Sequence, residues 1–211
     1  VLSGVLAGAT ALVPPAALAT EPPPLPKDLP AFGADKPLPV PAIVKSTLPN
    51  GLTLWLVKRP VFPKVSAVLV VRGGGVVDPA GMEGVSQLLA STLKEGTAKK
   101  TSRQIAEELQ AIGGDLTVSS RPDAFYLRAN ALASGADRLL GLLGAVALTP
   151  AFPASEVELA KENAIQELEA AEATPDYLAS KAFATAVYGD HPYHVVSASR
   201  ETIDKTTPEL L

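Results

Sequence analysis

The sequence predicts an α+β fold, a two-layer sandwich of an antiparallel-rich sheet and helices. Short strand-like runs occur in pairs around turns, as in hairpins, and paired helical stretches follow them. The composition agrees, because 211 residues with 47% hydrophobic and 19% charged residues are enough for one ordinary domain with a buried core. We therefore expect a soluble globular domain.

The predicted strands are bounded by recognisable turn signals. They cover residues 43–48, 52–57, 65–71, 116–120 and 124–130. Pro49-Asn50-Gly51 joins the first two runs and predicts a hairpin. Gly73 to Gly75 predict a sharp exit of the third strand from the sheet, because glycine adopts backbone angles closed to other residues. Arg121-Pro122-Asp123 predicts a second hairpin.

Helical periodicity and end signals predict the second layer. Helices are expected over residues 84–93, from Thr101 onward, and over 136–148, 156–173 and 176–188. We expect Gly96 to cap the first helix at its C-terminus, and Ser155 with Glu158 to form a capping box on the longest one. A further helix is expected to begin at residues 207–210, where the sequence stops.

The N-terminal segment predicts export. Residues 1–19 are uncharged and apolar and end in Ala17-Leu18-Ala19, which is typical of a signal-peptide core with its cleavage site. An apolar first helix is the alternative, whereas Pro14-Pro15 leaves too short a run for a transmembrane anchor. Residues 20–42 form a proline-rich linker and 43–211 the domain. We expect an exported, periplasmic protein, of which this sequence is a fragment that starts within its signal peptide and ends inside the domain.

Charge and residue counts exclude several function classes. A net charge of −4 and a pI near 5.3 argue against nucleic acid as a partner. The absence of cysteine excludes disulfides, thiolate catalysis and cysteine-ligated metals. The two histidines, His191 and His194, lie in HPYH, so no helical H-x-x-E-H site exists upstream. Imidazoles that hydrogen-bond locally are the favoured interpretation, and a metal corner is the alternative.

Six ordered segments within residues 46–211 carry a family resemblance. They are LPNGLTLWLV, VSAVLVVRGGG, GVSQLLASTLKEGT, IGGDLTVSSRPDAFYL, KENAIQELE and YGDHPYH. In this order they resemble the pitrilysin/insulinase metallopeptidases, an inverzincin family that includes mitochondrial processing peptidase. The resemblance implies that the domain is metallopeptidase-like and N-terminal in a longer protein.

The resemblance also implies which residues would carry the chemistry. Active members have H-x-x-E-H on a helix, and a third zinc ligand, a glutamate, follows roughly seventy to eighty residues downstream. These positions fall on Gln87, Ala90, Ser91 and Glu167. An amide and a hydroxyl are poor zinc donors, and alanine has no proton acceptor. We therefore predict no catalytic residue and no bound metal in this chain, and zinc only in an active partner.

Three of these positions have simpler interpretations as well. Glu167 belongs to a long helix rich in glutamate, where such charge is usually a solvated surface, so it is a remnant ligand position only by resemblance. Gln87 and Ser91, four residues apart, are expected to hydrogen-bond each other or water.

The resemblance implies a use for such a chain. Family members work as two non-identical chains or two similar halves, so we predict a non-catalytic subunit that pairs with an active zinc-peptidase subunit or second half. The predicted peptide-binding edge strand comprises Leu116, Thr117, Val118, Ser119 and Ser120. An ordinary edge protected by Asp115, Arg121 and Pro122 is the alternative. A scaffold subunit with no peptide role, and an active metalloendopeptidase with an intact motif in a missing half, also remain open.

Overall fold

The structure, a computed structural model, describes Gly33 and residues 40–211. The predicted signal peptide and nearly all of the predicted linker lie outside the described residues. The chain divides into two units, one that ends at Lys58 and one that spans Arg59–Leu211.

The first unit contains an antiparallel hairpin of β1 (Ile43–Thr47) and β2 (Thr53–Val57). Gly51 has a φ of +86°, and its N–H donates to the Leu48 carbonyl at 2.9 Å. The Asn50 side chain accepts from Leu52 N at 3.1 Å. These two residues make the turn as the sequence predicted, because glycine tolerates positive φ and asparagine bonds the backbone two residues on.

The second unit contains five strands and six helices among the described residues. The strands are β3 (Lys64–Arg72), β4 (Gly96–Thr97), β5 (Lys100–Thr101), β6 (Asp115–Ser120) and β7 (Ala124–Leu132). The helices are α1 (Val85–Thr92), α2 (Ser102–Ala111), α3 (Ala136–Leu148), α4 (Ala154–Glu172), α5 (Pro175–Tyr188) and α6 (Arg200–Lys205). The main sheet has the order β3-β7-β6 and is antiparallel throughout.

Helices α2 and α3 cover one face of this sheet. Strand β7 alternates, with Leu127 and Ala129 buried and Arg128 and Asn130 exposed, so one face is apolar. The buried cluster comprises Ile105, Ile112, Leu116, Leu127, Ala129, Ala131, Leu139, Leu142, Leu143 and Val146. Helices packed on an antiparallel sheet confirm the predicted two-layer α+β sandwich.

Two predicted helix caps are wrong. Helix α4 already begins at Ala154, with no side-chain cap, so Ser155 lies inside its first turn and makes no capping box with Glu158. Helix α1 ends at Thr92, and Gly96 pairs with Thr101 in a two-residue ladder instead of capping.

The predicted helix at residues 207–210 is a turn. The helix in this region is α6, which the sequence analysis missed. Ser199 is its N-cap and accepts from Thr202 N at 3.1 Å, so the signal was a serine before a short polar segment. No helix in the described part of the chain is long and apolar enough to cross a membrane.

Candidate functional site

Helix α1 is held at its N-terminus by a distant carboxylate. Asp78 accepts from Gly84 N at 2.7 Å and from Ser86 N at 3.2 Å. The N-cap residue of α1 is Gly84, which has no side chain that could accept these hydrogen bonds. Burial raises the pKa of Asp78, and these hydrogen bonds oppose that rise. A carboxylate near the first N–H groups of a helix also interacts favourably with the helix dipole.

Gly84 also allows a close approach at the same point. Its φ is +88°, and a Cβ placed there would lie 2.4 Å from Ala198 Cα and 2.6 Å from Ala198 N. Only glycine leaves room for the backbone around Ala198 to pass so near to α1. The start of α1 is therefore fixed against the segment that leads into α6.

A cavity of about 500 Å³ lies between α1, α4 and the segment 197–203. Gln87, Ser91 and Glu167 all line it, so the fold brings together three of the four positions that the family resemblance singled out. Ala90 does not line the cavity and is 5% exposed. A smaller apolar cluster of Leu88, Ala198 and Ile203 lies beside the cavity.

Gln87 and Ser91 do not bond each other, so that part of the expectation is wrong. Gln87 Nε2 donates to the Val196 carbonyl at 3.4 Å, and Ser91 Oγ donates to the Leu88 carbonyl at 2.8 Å. A helical serine readily bonds the carbonyl of the preceding turn, which is closer than the next side chain along the helix. Both side chains are thus held by backbone groups at the cavity wall.

Glu167 belongs to the cavity-facing side of α4. This side repeats at helical spacing through Glu156, Ala160, Asn163, Glu167 and Ala171. Glu167 is exposed, as the surface interpretation expected, but the space it faces is the cavity. The i, i+4, i+7 and i+11 spacing from Glu156 was the signal that could have separated it from the other glutamates.

Three other glutamates of α4 have different surroundings. Glu158 pairs with Lys161 at 3.1 Å, Glu169 with Arg200 at 2.8 Å, and Glu172 with Lys181 at 3.7 Å. The pairs of Glu169 and Glu172 are exposed ion pairs of the kind that contributes little to stability. The solvated-surface interpretation therefore fits these glutamates better than Glu167.

The donors that meet at the cavity do not fit zinc. Gln87 presents a neutral amide, and the hydroxyl hydrogen of Ser91 is committed to the Leu88 carbonyl. Glu167 is the one carboxylate among these three positions, and structural or catalytic zinc in proteins takes at least three imidazole, thiolate or carboxylate donors. No group of three or more His, Asp or Glu residues that could hold a metal occurs within the described residues.

The two histidines lie in a short 3₁₀ turn, Pro192–His194. His191 Nδ1 accepts from Tyr193 N at 3.2 Å, and His194 Nδ1 bonds the His191 carbonyl at 2.8 Å. The predicted local role of these imidazoles is confirmed. Tyr193 donates to both Asp123 oxygens, at 2.8 and 2.9 Å, and these bonds raise the pKa of the phenol. This contact ties the turn to the hairpin between β6 and β7.

Strand β6 pairs with β7 on one side and has no neighbour on the other among the described residues. Arg121 N donates to the Ala124 carbonyl at 2.9 Å, which makes these residues a hydrogen-bonded pair. Bonded pairs alternate along an antiparallel ladder, so the backbone groups of Leu116, Val118 and Ser120 point away from β7 towards the open edge.

The start of β6 lies close to the α1–α4 cavity. Helix α1 contacts both β6 and α4. A second cavity, of about 460 Å³, is lined by Asp115 and Leu116 and also by Glu95. Glu95 lines the first cavity as well, so the two spaces meet at this side chain.

The sequence is similar to a peptidase family model and to individual peptidases. A family model described as Insulinase (Peptidase family M16) matches residues 54–195. An uncharacterized zinc protease of Rickettsia felis is 31% identical over 149 residues, which cover 70% of this chain and 36% of the relative. Subunit alpha of the mitochondrial-processing peptidase of Solanum tuberosum is 25% identical over 166 residues, 79% of this chain and 33% of that protein.

A solved structure is similar over most of the chain. It is the crystal structure of a peptidase M16 inactive domain from Pseudomonas fluorescens, with a TM-score of 0.73 and 25% sequence identity. The match covers 78% of this chain and 40% of that one. The chain thus spans about a third of the length of the curated relatives above.

Proposed function

This chain belongs to the insulinase family, peptidase family M16, and we propose that it is a non-catalytic member that holds an extended peptide while a zinc-bearing partner hydrolyses it. The observation that carries the proposal is the cavity between α1 and α4. Gln87, Ser91 and Glu167 line it together, yet only Glu167 has a side chain of the kind that zinc prefers. Three family positions that line one cavity without a zinc-binding set support a member that does not hydrolyse peptides itself.

The missing general base supports the same proposal. Ala90 has no proton-accepting atom, is 5% exposed and does not line the cavity. Peptide hydrolysis by a zinc enzyme needs a metal to polarise the carbonyl and a base to take the proton from water. Glu167 alone supplies neither a metal site nor the base position, so the described residues contain no equivalent pair.

Peptide binding is supported by β6, which does not need the metal. The outward backbone groups of Leu116, Val118 and Ser120 form a row of donors and acceptors at the open edge, the geometry required for strand addition. The alternative is an edge that is merely protected. Asp115 and Arg121 are exposed and flank it, as charged residues often do at protected edges.

The partner and the location are also proposals. The partner is an active zinc-peptidase subunit or a second similar half, and the pair works in the periplasm after export. Support comes from one relative that is named a subunit and a similar solved structure that is described as an inactive domain. Within this pair the chain contributes chamber walls and peptide contacts.

The test of the missing chemistry uses the purified chain alone and together with the candidate partner. We expect less than stoichiometric zinc by elemental analysis and no cleavage of quenched fluorescent peptides by the chain alone, with cleavage restored by the partner. Stoichiometric zinc together with hydrolysis by the lone chain would refute the proposal. A partner assembly without any H-x-x-E-H chain, combined with no peptide binding, would instead favour a scaffold role.

Strand addition has its own test. Two versions of one peptide are compared by fluorescence polarisation, one N-methylated at odd positions and one at even positions. Because alternate residues of a strand point their N–H groups to opposite sides, we expect one pattern to abolish binding and the other to leave it nearly unchanged. Equal binding by both versions would exclude backbone pairing at β6.

A further inference from the structure

The turn between β6 and β7 lies against the segment that leaves β3. Each of its three carbonyl groups accepts a backbone hydrogen bond from this segment: Arg121 from Gly75 N at 3.1 Å, Pro122 from Val76 N at 2.9 Å, and Asp123 from Gly73 N at 2.9 Å. A Cβ on Gly74 would lie 1.8 Å from the Arg121 carbonyl oxygen, so only glycine allows this approach. The backbone of the turn is therefore bound to the glycine segment.

A side chain from a distant part of the sequence also binds this turn. The Tyr193 hydroxyl donates to Asp123 Oδ1 at 2.8 Å and to Asp123 Oδ2 at 2.9 Å, although the two residues are 70 positions apart. A hydroxyl that donates to a carboxylate makes a charge-assisted hydrogen bond, which is stronger than a bond between neutral groups. The tip of the β6–β7 hairpin is therefore attached to the 3₁₀ turn Pro192–His194 as well.

The ring of Tyr193 is held by its own neighbours. It meets the Tyr188 ring edge-to-face, with centroids 5.6 Å apart, and the His191 ring in the same manner at 4.6 Å. Edge-to-face contacts are a preferred arrangement of aromatic rings. The backbone is also fixed, because Tyr193 N donates to His191 Nδ1 at 3.2 Å. The end of α5 and the HPYH segment together orient the phenol towards Asp123.

The two ends of β6 differ in how they are supported. Leu116, near the start of the strand, is 3% exposed and belongs to the main buried cluster. Ser120, at the other end, lies outside this cluster, next to the turn. Strand ends with few buried contacts open more readily than the core of a sheet. A peptide that pairs with a loosened end must order it first, and this ordering lowers its affinity.

We propose that Tyr193 is a positioning residue for peptide binding: its hydroxyl holds Asp123, and through the turn it keeps the Ser120 end of β6 ordered for pairing with an extended peptide. This inference rests on the proposed function. Tyr193 acts through the hairpin and does not itself contact the peptide. Its effect is confined to the Ser120 end, because core packing already holds the strand at Leu116.

The first measurement is peptide affinity by fluorescence polarisation. The probe is a fluorescein-labelled peptide of about ten alternating valine and lysine residues, which favours an extended conformation and relies on backbone pairing. In the whole chain, Tyr193→Phe removes the hydroxyl and keeps the ring. We expect binding about threefold to tenfold weaker, the effect of one net hydrogen bond.

Two further variants locate the effect. Tyr188→Phe is the matched control, because it removes a phenol hydroxyl from the same aromatic contact and leaves the bonds between Tyr193 and Asp123 in place. It should bind the peptide like the wild type. Asp123→Asn keeps one acceptor oxygen for the Tyr193 hydroxyl and should retain part of the affinity. Thermal unfolding of all three variants checks that the fold is intact.

Amide hydrogen exchange separates positioning from a general loss of stability. With the peptide bound, the wild type should gain protection at both Leu116 and Ser120, whose N–H groups point to the open edge. Tyr193→Phe should lose this gain at Ser120 and keep it at Leu116. An equal loss at both residues would show a merely structural role and overturn the inference.

The affinities distinguish the remaining outcomes. Wild-type affinity in Tyr193→Phe would overturn the inference and leave the proposed peptide role intact. Binding that is weaker in Asp123→Asn than in Tyr193→Phe would also overturn it, because Asp123 would then contact the peptide directly. No binding of the peptide by the wild type would refute both the inference and peptide binding at β6.

Discussion

Helix α3 and the helix pair α1 and α4 differ in how completely they are packed. Leu139, Leu142 and Val146 of α3 are at most 2% exposed against the sheet. In α4, a longer helix, Val157 is the one buried residue, and the cavity-lining Leu159 is 52% exposed. The fully packed face of α3 thus differs from the exposed face of α4 that lines the cavity. We therefore expect an exposed residue of that α4 face, such as Leu159, to tolerate substitution at little cost to stability.

The largest expected effect comes from restoring ligands on the cavity side. The double change Gln87→His and Ser91→His should tighten zinc binding by on the order of 100-fold or more, because two imidazoles and the Glu167 carboxylate make a three-ligand set. Isothermal titration with zinc measures it. The same variant with Glu167→Gln should lose the gain, and a gain that persists would place the metal elsewhere. Peptide hydrolysis should remain absent, because Ala90 supplies no base.

The next effect tests the packed side. Leu139→Ala should lower the free energy of unfolding by about 2–5 kcal/mol, since Leu139 is fully buried and its removal leaves a cavity. Leu159→Ala is the control on the cavity side and should cost less than about 1 kcal/mol, because half of that side chain is already exposed. Urea unfolding compares them. Similar losses in the two variants would contradict the separation of the two regions.

A smaller effect concerns the junction between α1 and the segment before α6. Gly84→Ala should cost about 1–3 kcal/mol, because the new Cβ meets the Ala198 backbone and the φ of +88° is unfavourable for alanine. Gly81→Ala isolates the second cause, since Gly81 has a φ of +77° with open space around it. Thermal unfolding should rank Gly84→Ala as the more damaging change. If Gly81→Ala were the more damaging change, the Ala198 backbone would move away from the new Cβ without a cost in stability.

The smallest effect lies in the ion pairs around α2. Lys100 donates to Glu108, and Arg138 of α3 lies 3.5 Å from it. These partners, Lys100 first, hold the pKa of Glu108 below its usual 4.5. Glu108→Gln should therefore cost about 1 kcal/mol at neutral pH.

The lowered pKa of Glu108 predicts how this loss of stability changes with pH. A lowered folded pKa means that the stabilisation is complete above 4.5 and is lost as pH falls through the folded value. Denaturant titrations at pH 7 and pH 3 should therefore show a gap between wild type and Glu108→Gln that is smaller at the lower pH. Glu107→Gln is the control, because its pair with Arg103 is exposed and should contribute less than about 0.5 kcal/mol. Equal losses of stability in both variants would contradict a larger contribution from Glu108, the less exposed of the two glutamates.

Local signals predicted most elements well. The turn at Asn50-Gly51 and the N-cap at Thr101, which accepts from Gln104 N at 3.3 Å, depend on neighbours within four residues. The predicted helix 136–148 matches α3 in full. The errors arose at helix ends. Helix α4 begins at Ala154 without a side-chain cap, and Gly96 pairs in a small ladder with Thr101.

The sequence by itself determined the fold class and the kinds of donor atoms at the four family positions, because side-chain chemistry does not depend on the fold. Only the tertiary structure decided which of those atoms meet. Gln87 and Ser91 come together with Glu167 because α1 packs against α4, and helix packing joins residues that are far apart in the chain. The acidic side of α4 that includes Glu156 became a cavity wall by the same contact, since a helix face acquires its surroundings only from the elements that pack beside it.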